Sequence, residues 1–532
     1  MNQLVLSLLF AAACLLGNAY YATAQTQTPL VQWDRTFGGT AADELYATVL
    51  TSDGGYIVGG ASRSGISGDK TQPSQGDYDY WIVKMSATGV KQWERSFGGT
   101  DQDILFTLQQ TSDGGYILGG ISYSGIGGDK TQANQGIMYD YWVVKVDASG
   151  TKQWDRTYGG TAADELRTLQ QTSDGGYILA GYTSSPDVIG SSFPFSVPAD
   201  YWLIKVDANG TKQWDRTFGG SNSDYLSTLV QTSDGGYLLG GNSTSPISGD
   251  KTQPSQGSQG SPDYWVVKVD ASGTKQWDRT FGGTNVESLS SLQPTSDGGY
   301  ILGGYSYSPI GGDKTQPNPG YTSFWVVKVD ASGTKQWDRT FGGTGRNELY
   351  ALQQTSDGGY ILGGQSDSSI SGDKTQASLG GDDMWLVKVD ANGTKQWDKT
   401  IGGSGGDYIL RIQLTTDGGY FLAGSSTSGI SGDKTQLNYG GKDYWVVKLG
   451  AAPLATTAAT TRPALSAYPN PTRTQLTLRG PLGTPYQLLN QLGQVMLSGK
   501  LTNQPLDVHS LPAGLYLLRD QTTGRTTKLV KE

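Results

Sequence analysis

The chain has 532 residues, which is more than one ordinary domain, and a formal net charge of −9 at pH 7. Glycine is unusually frequent at 78 residues, and charged residues make up only 16%. This acidic, glycine-rich composition fits poorly with proteins that bind nucleic acid or anionic lipid, and it favours β-structure joined by many tight turns.

The first residues carry an apolar run, Leu4–Gly17, that is too short to span a bilayer. An Ala-Thr-Ala sequence that ends at Ala24 follows it, so residues 1–24 are predicted to be a secretory signal peptide cleaved after Ala24. The single cysteine, Cys14, lies inside this segment, and the mature chain is therefore expected to contain no disulfide and no reactive thiol. No other apolar run is long enough to suggest a transmembrane segment.

An internal repeat fills most of residues 25–449. The phrase QWDRTFGG, or a close variant, recurs at intervals of 60 to 63 residues, and the phrase DYWVVKVD or a relative of it follows each copy. Together the two phrases contain all 14 tryptophans. Self-similarity with this period indicates a propeller or a solenoid.

Each repeat contains four short β-type runs separated by turn residues. In the second repeat the runs are ILFTLQQTS, GYILGGIS, YWVVKVDA and KQWDRTYGG. Four strands joined by three turns are the content of a propeller blade, so the sequence predicts an all-β, seven-bladed β-propeller over residues 25–449. A β-solenoid is the runner-up, but its coils are usually shorter and it needs atypical capping repeats.

The phase of the repeat predicts how the ring closes. The mature chain enters with the strand Val31–Gly38, and the last repeat, which ends with Tyr444–Leu449, lacks its fourth strand. We expect the two segments to pair, because their pairing removes two exposed sheet edges.

These repeats resemble the Gly-Gly-containing β-propeller repeats of secreted bacterial proteins. They are also similar to kelch repeats, in which a double glycine follows an apolar strand and a tryptophan lies further on. The resemblance covers Val31–Leu449 and implies a fold, whereas it says little about function because propellers host many unrelated activities.

The period ends at residue 450. An Ala/Thr/Pro-rich linker is predicted over residues 450–463, and a small Ig-like β-sandwich over residues 464–532. The phrases of this last segment resemble, in order, the type A sorting domain of type IX secretion substrates. The matching residues are Tyr468, Pro469, Asn470, Pro471, Gly493, Val495, Leu511, Gly514, Tyr516 and Lys528–Lys531.

This resemblance implies a route and two partners. The chain would cross the outer membrane of a Gram-negative bacterium through the type IX translocon, and a surface sortase would remove the tail. The body would then be anchored at the outer-membrane cell surface or released.

The repeated motif TSDGGY contains an Asp beside two glycines, a pattern that could belong to a catalytic or metal-binding loop. A residue needed once for catalysis has no reason to recur in every repeat, whereas a turn residue does. Asp-Gly between two strands is a strong hairpin signal, and turns are therefore predicted at all copies. The aspartates are Asp53, Asp113, Asp174, Asp234, Asp297, Asp357 and Asp417.

No catalytic constellation is evident, and no cofactor or metal is expected. The only histidine, His509, lies in the predicted sorting domain, so neither a Ser-His-Asp set nor a His-ligated zinc fits the body. A carboxylate pair acting as a glycosidase in the central channel is the alternative. Such a site would use residues that break the repeat: Arg63, Arg167, Glu287, Arg346, Arg411 or the Phe193–Phe195 insertion.

A candidate binding rim is predicted from the SGDKTQ loops, which recur in every repeat except the third. An insertion with Phe193 and Phe195 replaces the loop there. Solvated loops inherited by duplication are the simpler interpretation, because each Asp is followed by a Lys that partly cancels its charge. The aspartates are Asp69, Asp129, Asp250, Asp313, Asp373 and Asp433.

These observations predict a secreted or cell-surface scaffold without catalytic activity, which binds a glycan, polymer or protein on a loop rim or over the central channel. A carbohydrate-active hydrolase or lyase that uses the repeat-breaking residues is one alternative. A purely structural surface protein is the other.

Overall fold

A computed structural model of the chain describes residues 28–185, 189, 197–257, 260–451, 465–522 and 526–532. They form two compact units, one within residues 28–451 and one within 465–532. The predicted signal peptide and nearly all of the predicted linker lie outside the described residues, and so do Phe193 and Phe195.

The larger unit consists of seven four-stranded antiparallel sheets, which are the seven blades predicted from the sequence. Blade 1 contains β2 (Asp43–Leu50), β3 (Tyr56–Ser62), β4 (Asp79–Met85) and β5 (Lys91–Phe97). Blade 2 contains β6 (Asp103–Gln110), β7 (Tyr116–Ser122), β8 (Asp140–Val146) and β9 (Lys152–Tyr158). Blade 3 contains β10 (Asp164–Gln171), β11 (Tyr177–Thr183), β12 (Asp200–Val206) and β13 (Lys212–Phe218).

The next three blades repeat this order. Blade 4 contains β14 (Asp224–Gln231), β15 (Tyr237–Ser243), β16 (Asp263–Val269) and β17 (Lys275–Phe281). Blade 5 contains β18 (Glu287–Pro294), β19 (Tyr300–Ser306), β20 (Ser323–Val329) and β21 (Lys335–Phe341). Blade 6 contains β22 (Asn347–Gln354), β23 (Tyr360–Ser366), β24 (Asp383–Val389) and β25 (Lys395–Ile401).

Blade 7 confirms the predicted closure of the ring. It contains β26 (Asp407–Leu414), β27 (Tyr420–Ser426) and β28 (Asp443–Leu449), and its fourth strand is β1 (Val31–Phe37) from the other end of the propeller sequence. The two strands pair antiparallel from Val31 opposite Leu449 to Phe37 opposite Tyr444. The pairing makes β28 an interior strand, and β1 forms the outer edge of the sheet, as the fourth strand does in the other blades.

The blades pack through large side chains on their two middle strands. Every residue of β3 and β4 is buried, because both faces of the blade are covered by its neighbours. The Tyr80 ring lies 4.8 Å from the Trp142 ring of the next blade, and its hydroxyl donates to the Trp142 carbonyl at 2.9 Å. Burial of aromatic rings with their polar tips satisfied stabilises this junction, and Phe324 and Met384 occupy the position of Tyr80 in blades 5 and 6.

The TSDGGY segments are hairpin turns, as predicted. In the first copy the Gly54 amide donates to the Thr51 carbonyl at 2.9 Å, and Gly54 adopts φ +78°. Asp53 accepts the Gly55 amide at 3.0 Å and forms an ion pair of 2.8 Å with Lys84, which holds the turn against the second hairpin of the blade.

The smaller unit contains two sheets. One is formed by β29 (Ser466–Tyr468), β30 (Gln475–Arg479) and β33 (Leu506–Asp507). The other is formed by β31 (Pro485–Leu489), β32 (Val495–Lys500), β34 (Gly514–Asp520) and β35 (Thr526–Lys531). Leu476, Leu488, Val508 and Leu518 belong to one buried apolar cluster in this unit.

A search of the described residues for a helix both long and apolar enough to cross a membrane finds none.

Candidate binding site in the central channel

The first strand of each blade lies at the centre of the ring. The seven inner strands β2, β6, β10, β14, β18, β22 and β26 contact one another in sequence, and β26 contacts β2, so that they enclose a channel. In blade 1 the first residue of the inner strand, Asp43, pairs with Ser62 at the end of the second strand, and Ser62 pairs with Asp79 at the start of the third. All seven inner strands therefore begin at the end of the propeller that carries the loops between the second and third strands. We call this end the loop face.

Each inner strand has a β-bulge at the same point, which directs additional side chains into the channel. In β2 the register shifts between Leu45 and Ala47, which leaves Tyr46 unpaired. Bulges commonly re-aim side chains next to functional sites. At this position the repeat lapses. The seven bulge residues are Tyr46, Phe106, Arg167, Ser227, Ser290, Tyr350 and Leu410.

The mouth of the channel on the loop face is a cavity of about 470 Å³. Polar side chains such as Asn242 and Ser288 share its wall with aromatic rings. A volume in this range, with a mixed aromatic and polar lining, is typical of small-ligand sites. The aromatic residues of this wall are together called the channel mouth below. They are Tyr46, Phe106, Tyr182, Tyr225, Tyr305 and Tyr350.

Small residues on two neighbouring blades open this cavity. Blades 4 and 5 carry Ser227 and Ser290 at the bulge, where blades 1 and 6 carry Tyr46 and Tyr350. The open side of the channel therefore lies against blades 4 and 5, across the ring from Tyr46 of blade 1 and beside Tyr350 of blade 6. A second cavity of about 450 Å³ continues from the first and shares the two serines with it.

Three tyrosines of the channel are held by glutamates on the same inner strands or beside them. Tyr46 donates to Glu44 at 2.5 Å, and Tyr350 donates to Glu348 at 2.6 Å. The Tyr182 hydroxyl donates to Glu165. Burial, and then the neighbouring glutamate, raises the pKa of each of these tyrosines above its ordinary value, so the hydroxyls stay protonated.

Two arginines line both cavities, at the point where the cavities meet. The Arg167 guanidinium lies 4.7 Å from the centre of the Phe106 ring and forms an ion pair of 2.5 Å with Glu165. Arg411 donates to the carbonyl of Leu410 at 2.8 Å. Burial, and then the charge of Arg167, lowers the pKa of Arg411 to about 10. We call Arg167 and Arg411 the arginine pair.

The other residues that break the repeat do not join this site. Arg63 forms an ion pair of 2.7 Å with Asp77, and Arg346 forms one with Asp382. Glu287 is fully buried and accepts the Gly283 amide at 2.7 Å. The structure therefore brings together two of the five charged residues that the sequence singled out.

The SGDKTQ aspartates take part in packing between blades. Asp129 accepts the Gly98 amide of the preceding blade at 3.3 Å and the Gln75 side-chain amide at 2.6 Å. The lysine that follows each of them points inward; Lys70, for example, is 1% exposed and lies over the Trp81 ring. Ligand binding by the predicted rim stays a prediction. Its six aspartates are all half-buried: Asp69, Asp129, Asp250, Asp313, Asp373 and Asp433.

Residues named from the sorting motifs have structural partners within the smaller unit. Asn470 donates to the Lys528 carbonyl at 2.9 Å and accepts the Val530 amide at 2.8 Å, which ties the opening motif to the closing one. The Tyr516 hydroxyl donates to the Pro512 carbonyl at 2.7 Å.

Sequence reasoning did not single out the tyrosines and serines of the channel. The available signal is in the alignment of the repeats with one another. The fourth residue of the inner strand changes between aromatic, basic, small and aliphatic types, while its neighbours Leu45, Leu105 and Leu166 stay the same.

Comparison with known proteins matches residues 466–532 to the family described as "Secretion system C-terminal sorting domain". The chain is 27% identical over 410 residues to the regulatory protein FlaEY of Caulobacter vibrioides, in an alignment that covers 70% of this chain. The chain spans 42% of the length of that relative.

Solved structures with a similar backbone include the WD40 domain of Neurospora crassa Pan2. It is 10% identical, with 79% of this chain and 96% of that chain covered and a TM-score of 0.41. Another is PorZ of Porphyromonas gingivalis, an essential bacterial surface component of the type-IX secretion system. It is 10% identical, with 94% of this chain and 75% of that chain covered and a TM-score of 0.24.

The matched segment contains every residue that the sequence motifs pointed to, from Tyr468 to Lys531. A sorting domain of this kind indicates export to the cell surface or secretion. In addition to a seven-bladed β-propeller, the chain therefore carries a C-terminal sorting domain of the secretion-system family in residues 466–532.

Proposed function

We propose that this protein is a non-catalytic binding protein, exported by type IX secretion, that takes a glycan into the central channel of its propeller. One observation carries the proposal. The repeat lapses where the inner strands bulge into the channel, and five of the seven side chains placed there are aromatic or hydroxyl-bearing, with all seven partly open to solvent.

The chemistry of the channel mouth suits a sugar. Tyrosine rings offer flat apolar faces to the C–H side of a sugar ring, and their hydroxyls, together with Ser288 and Asn242, offer hydrogen bonds to sugar hydroxyls. Tyr225 has 41% of its surface exposed, which leaves its ring open to stacking. A cavity of about 470 Å³ admits a short glycan or the end of a longer one, and it is too small for a folded protein partner.

The absence of carboxylates among the described residues of the lining supports a binding role. Among the described residues that line the two cavities, none is a carboxylate. Glycoside hydrolysis usually needs two carboxyl groups that flank the scissile bond. The nearby Glu44, Glu165 and Glu348 each accept a tyrosine hydroxyl.

Filling the cavity tests the proposal. Ser227→Tyr is expected to abolish glycan binding, because it places a ring in the open half of the channel. The fold should tolerate the change, because blades 1 and 6 already carry Tyr46 and Tyr350 at this position. Binding would be measured on a glycan array and then by calorimetry, using the full chain without its signal peptide, and hydrolysis would be followed in parallel.

Ser112→Tyr is the matched control, since Ser112 is exposed in a turn at the opposite end of the propeller. The proposal fails if no glycan binds, or if Ser227→Tyr binds as well as the wild type does. A purely structural surface protein would give the first result, and turnover of any glycan would favour the hydrolase.

The sorting domain is proposed to engage the type IX translocon and a surface sortase, with the body then anchored at the outer membrane or released. Deletion of residues 464–532 is expected to leave the propeller folded in the periplasm, because the export signal is lost. Cell fractionation and surface proteolysis would measure this. Fusion of residues 464–532 to an unrelated periplasmic protein is the converse control. Surface delivery of the truncated chain would contradict the prediction.

A further inference from the structure

Arg411 has no evident structural task. The residues at its register position in the other inner strands are small and uncharged, including Ala47, Thr107, Thr228 and Ala351, and those blades form the same bulge and the same sheet. A guanidinium in a partly enclosed channel loses hydration, which costs free energy unless a partner compensates it. The fold of blade 7 therefore does not need this arginine.

The charge of Arg411 is also uncompensated among the described residues. Its guanidinium, which has five N–H donors, donates a hydrogen bond to the carbonyl of Leu410. The charged group that acts on it is Arg167, which carries the same sign. Both arginines face the point where the two cavities meet, and only Arg167 is bonded to a carboxylate, that of Glu165. The charge of Arg411 therefore leaves a net positive potential there.

Neighbouring side chains hold the guanidinium of Arg167 in a fixed orientation. Glu165 fixes one side of its guanidinium at 2.5 Å, and the Phe106 ring lies against it at 4.7 Å. A planar guanidinium with its orientation set in this way is suited to directional bonding of a carboxylate or sulfate group. Tyr182 is also within cation–π distance of it, at 5.9 Å.

From this arrangement we propose that the ligand of the channel is an acidic glycan, whose carboxylate or sulfate group binds Arg411 and Arg167 while its sugar rings lie against the channel mouth. This rests on the proposed glycan-binding function and adds the chemical class of the ligand. The glutamates at the mouth do not oppose it, because each has a cation nearby: Glu165 is paired with Arg167, Glu44 lies 3.7 Å from Lys442, and Glu348 interacts electrostatically with Arg346.

The test compares glycans that differ only in charge. Oligogalacturonate and its fully methyl-esterified form share one sugar chain, so a difference in their affinity reports the carboxylates. A sulfated oligosaccharide, such as one from chondroitin sulfate, forms a third arm and distinguishes a sulfate from a carboxylate ligand. Affinities would be measured by calorimetry on the full chain without its signal peptide, at two salt concentrations.

We expect one of the acidic arms to bind and the esterified form to bind at least tenfold more weakly. Arg411→Thr, which installs the residue of blades 2 and 4, should weaken acidic binding by about 10- to 100-fold, the usual worth of a charged hydrogen bond. Arg411→Lys should restore part of the affinity. Arg279→Thr is the matched control, because Arg279 lies on the outer strand of blade 4 over the Trp277 ring, at 5.4 Å.

Four results would overturn the inference, and they are distinguishable. If esterified and acidic forms bind equally, or if Arg411→Thr has no effect while Ser227→Tyr still abolishes binding, the glycan site stands and the acidic class is wrong. If Arg279→Thr weakens binding as much as Arg411→Thr does, the effect is one of overall charge. If no glycan of any class binds, the proposed function fails as well.

Discussion

Asp34→Ala is expected to open the propeller ring and to lower the free energy of unfolding. The Asp34 carboxylate accepts the Trp445 indole N–H at 3.0 Å and the Thr435 amide at 3.0 Å, and it also bonds to the Thr435 hydroxyl. Without the carboxylate these buried donors are unsatisfied, at a cost of about 3–5 kcal/mol in total.

The effect reaches beyond the lost bonds, because β1 joins blade 7 without a covalent link nearby. The other outer strands follow the third strand of their blade through a short turn, whereas β1 and β28 are far apart along the chain. Trp33 of β1 also lies 6.2 Å from the Tyr56 ring and 6.1 Å from the Phe421 ring, so it fills the junction between blades 1 and 7. If β1 detaches, this junction loses its packing and β28 becomes an exposed edge.

Asp278→Ala is the matched control. Asp278 makes the same three bonds within blade 4, to the Trp265 indole N–H at 3.1 Å, the Thr252 amide at 2.9 Å and the Thr252 hydroxyl at 2.7 Å. It also forms an ion pair of 3.0 Å with Lys275, so its removal costs at least as many contacts as that of Asp34. Both variants should unfold at lower denaturant concentration. Only Asp34→Ala should increase amide hydrogen exchange in β1 and β28 and promote association of chains. Identical behaviour of the two variants would show that the closure is no weaker than the other blades.

The free energy of unfolding is expected to fall as the pH rises from about 4 to about 7. Pairs of buried carboxyl groups lie where one blade meets the next. Burial raises the pKa of Asp79 to about 6, and the neighbouring Asp103 also raises it. Burial likewise raises the pKa of Asp200 and of Asp263 to about 7.

The sign follows from proton binding. Between the pKa of an unfolded Asp and the raised pKa in the fold, the native state holds protons that the unfolded state has released. Stability from this source is complete below about pH 4 and is lost as the pH rises through about 6 to 7. Two other sets of groups act outside this window. Although burial opposes it, bonds from Lys84 and Thr51 hold the pKa of Asp53 at about 2. Burial lowers the pKa of Lys130 to about 8.

The protein contains its own neutral version of the pair, which supplies the control variant. Ser323 and Asn347 occupy the two positions where blade 5 meets blade 6, and Asn347 accepts the Ser366 hydroxyl at 2.7 Å. The double variant Asp79→Ser, Asp103→Asn copies this junction. It should flatten the pH dependence between about pH 4 and 6 by about 1.4 kcal/mol per pH unit, the effect of one proton.

The reverse variant, Ser323→Asp with Asn347→Asp, should make the dependence steeper. Denaturant unfolding at several pH values in this window measures both effects. An unchanged slope in the two variants would show that these carboxyl groups do not bind protons as inferred.

Much of the architecture was predictable because it depends on local chemistry that the chain repeats. The Asp-Gly turns, the apolar middle strands and the position of QWDRTFGG within the period are short-range features, and they led to seven blades and to the pairing of β1 with β28. The sorting domain was predictable for a similar reason, because the motifs that contain Tyr468, Asn470 and Lys528 occur in order within residues 466–532.

The sequence by itself determined the blades, the closing strand and the sorting domain, since each depends on neighbours along the chain. Only the tertiary structure decided which residues line the central channel, where we propose that a ligand binds. Arg167 and Arg411 belong to different blades and face one cavity because seven inner strands, each with a bulge at the same point, bring residues from distant repeats to a common axis. The same arrangement places Ser227 and Ser290 on adjacent blades, where their small side chains leave room for the cavity. No spacing along the chain encodes that proximity, because it arises from the ring.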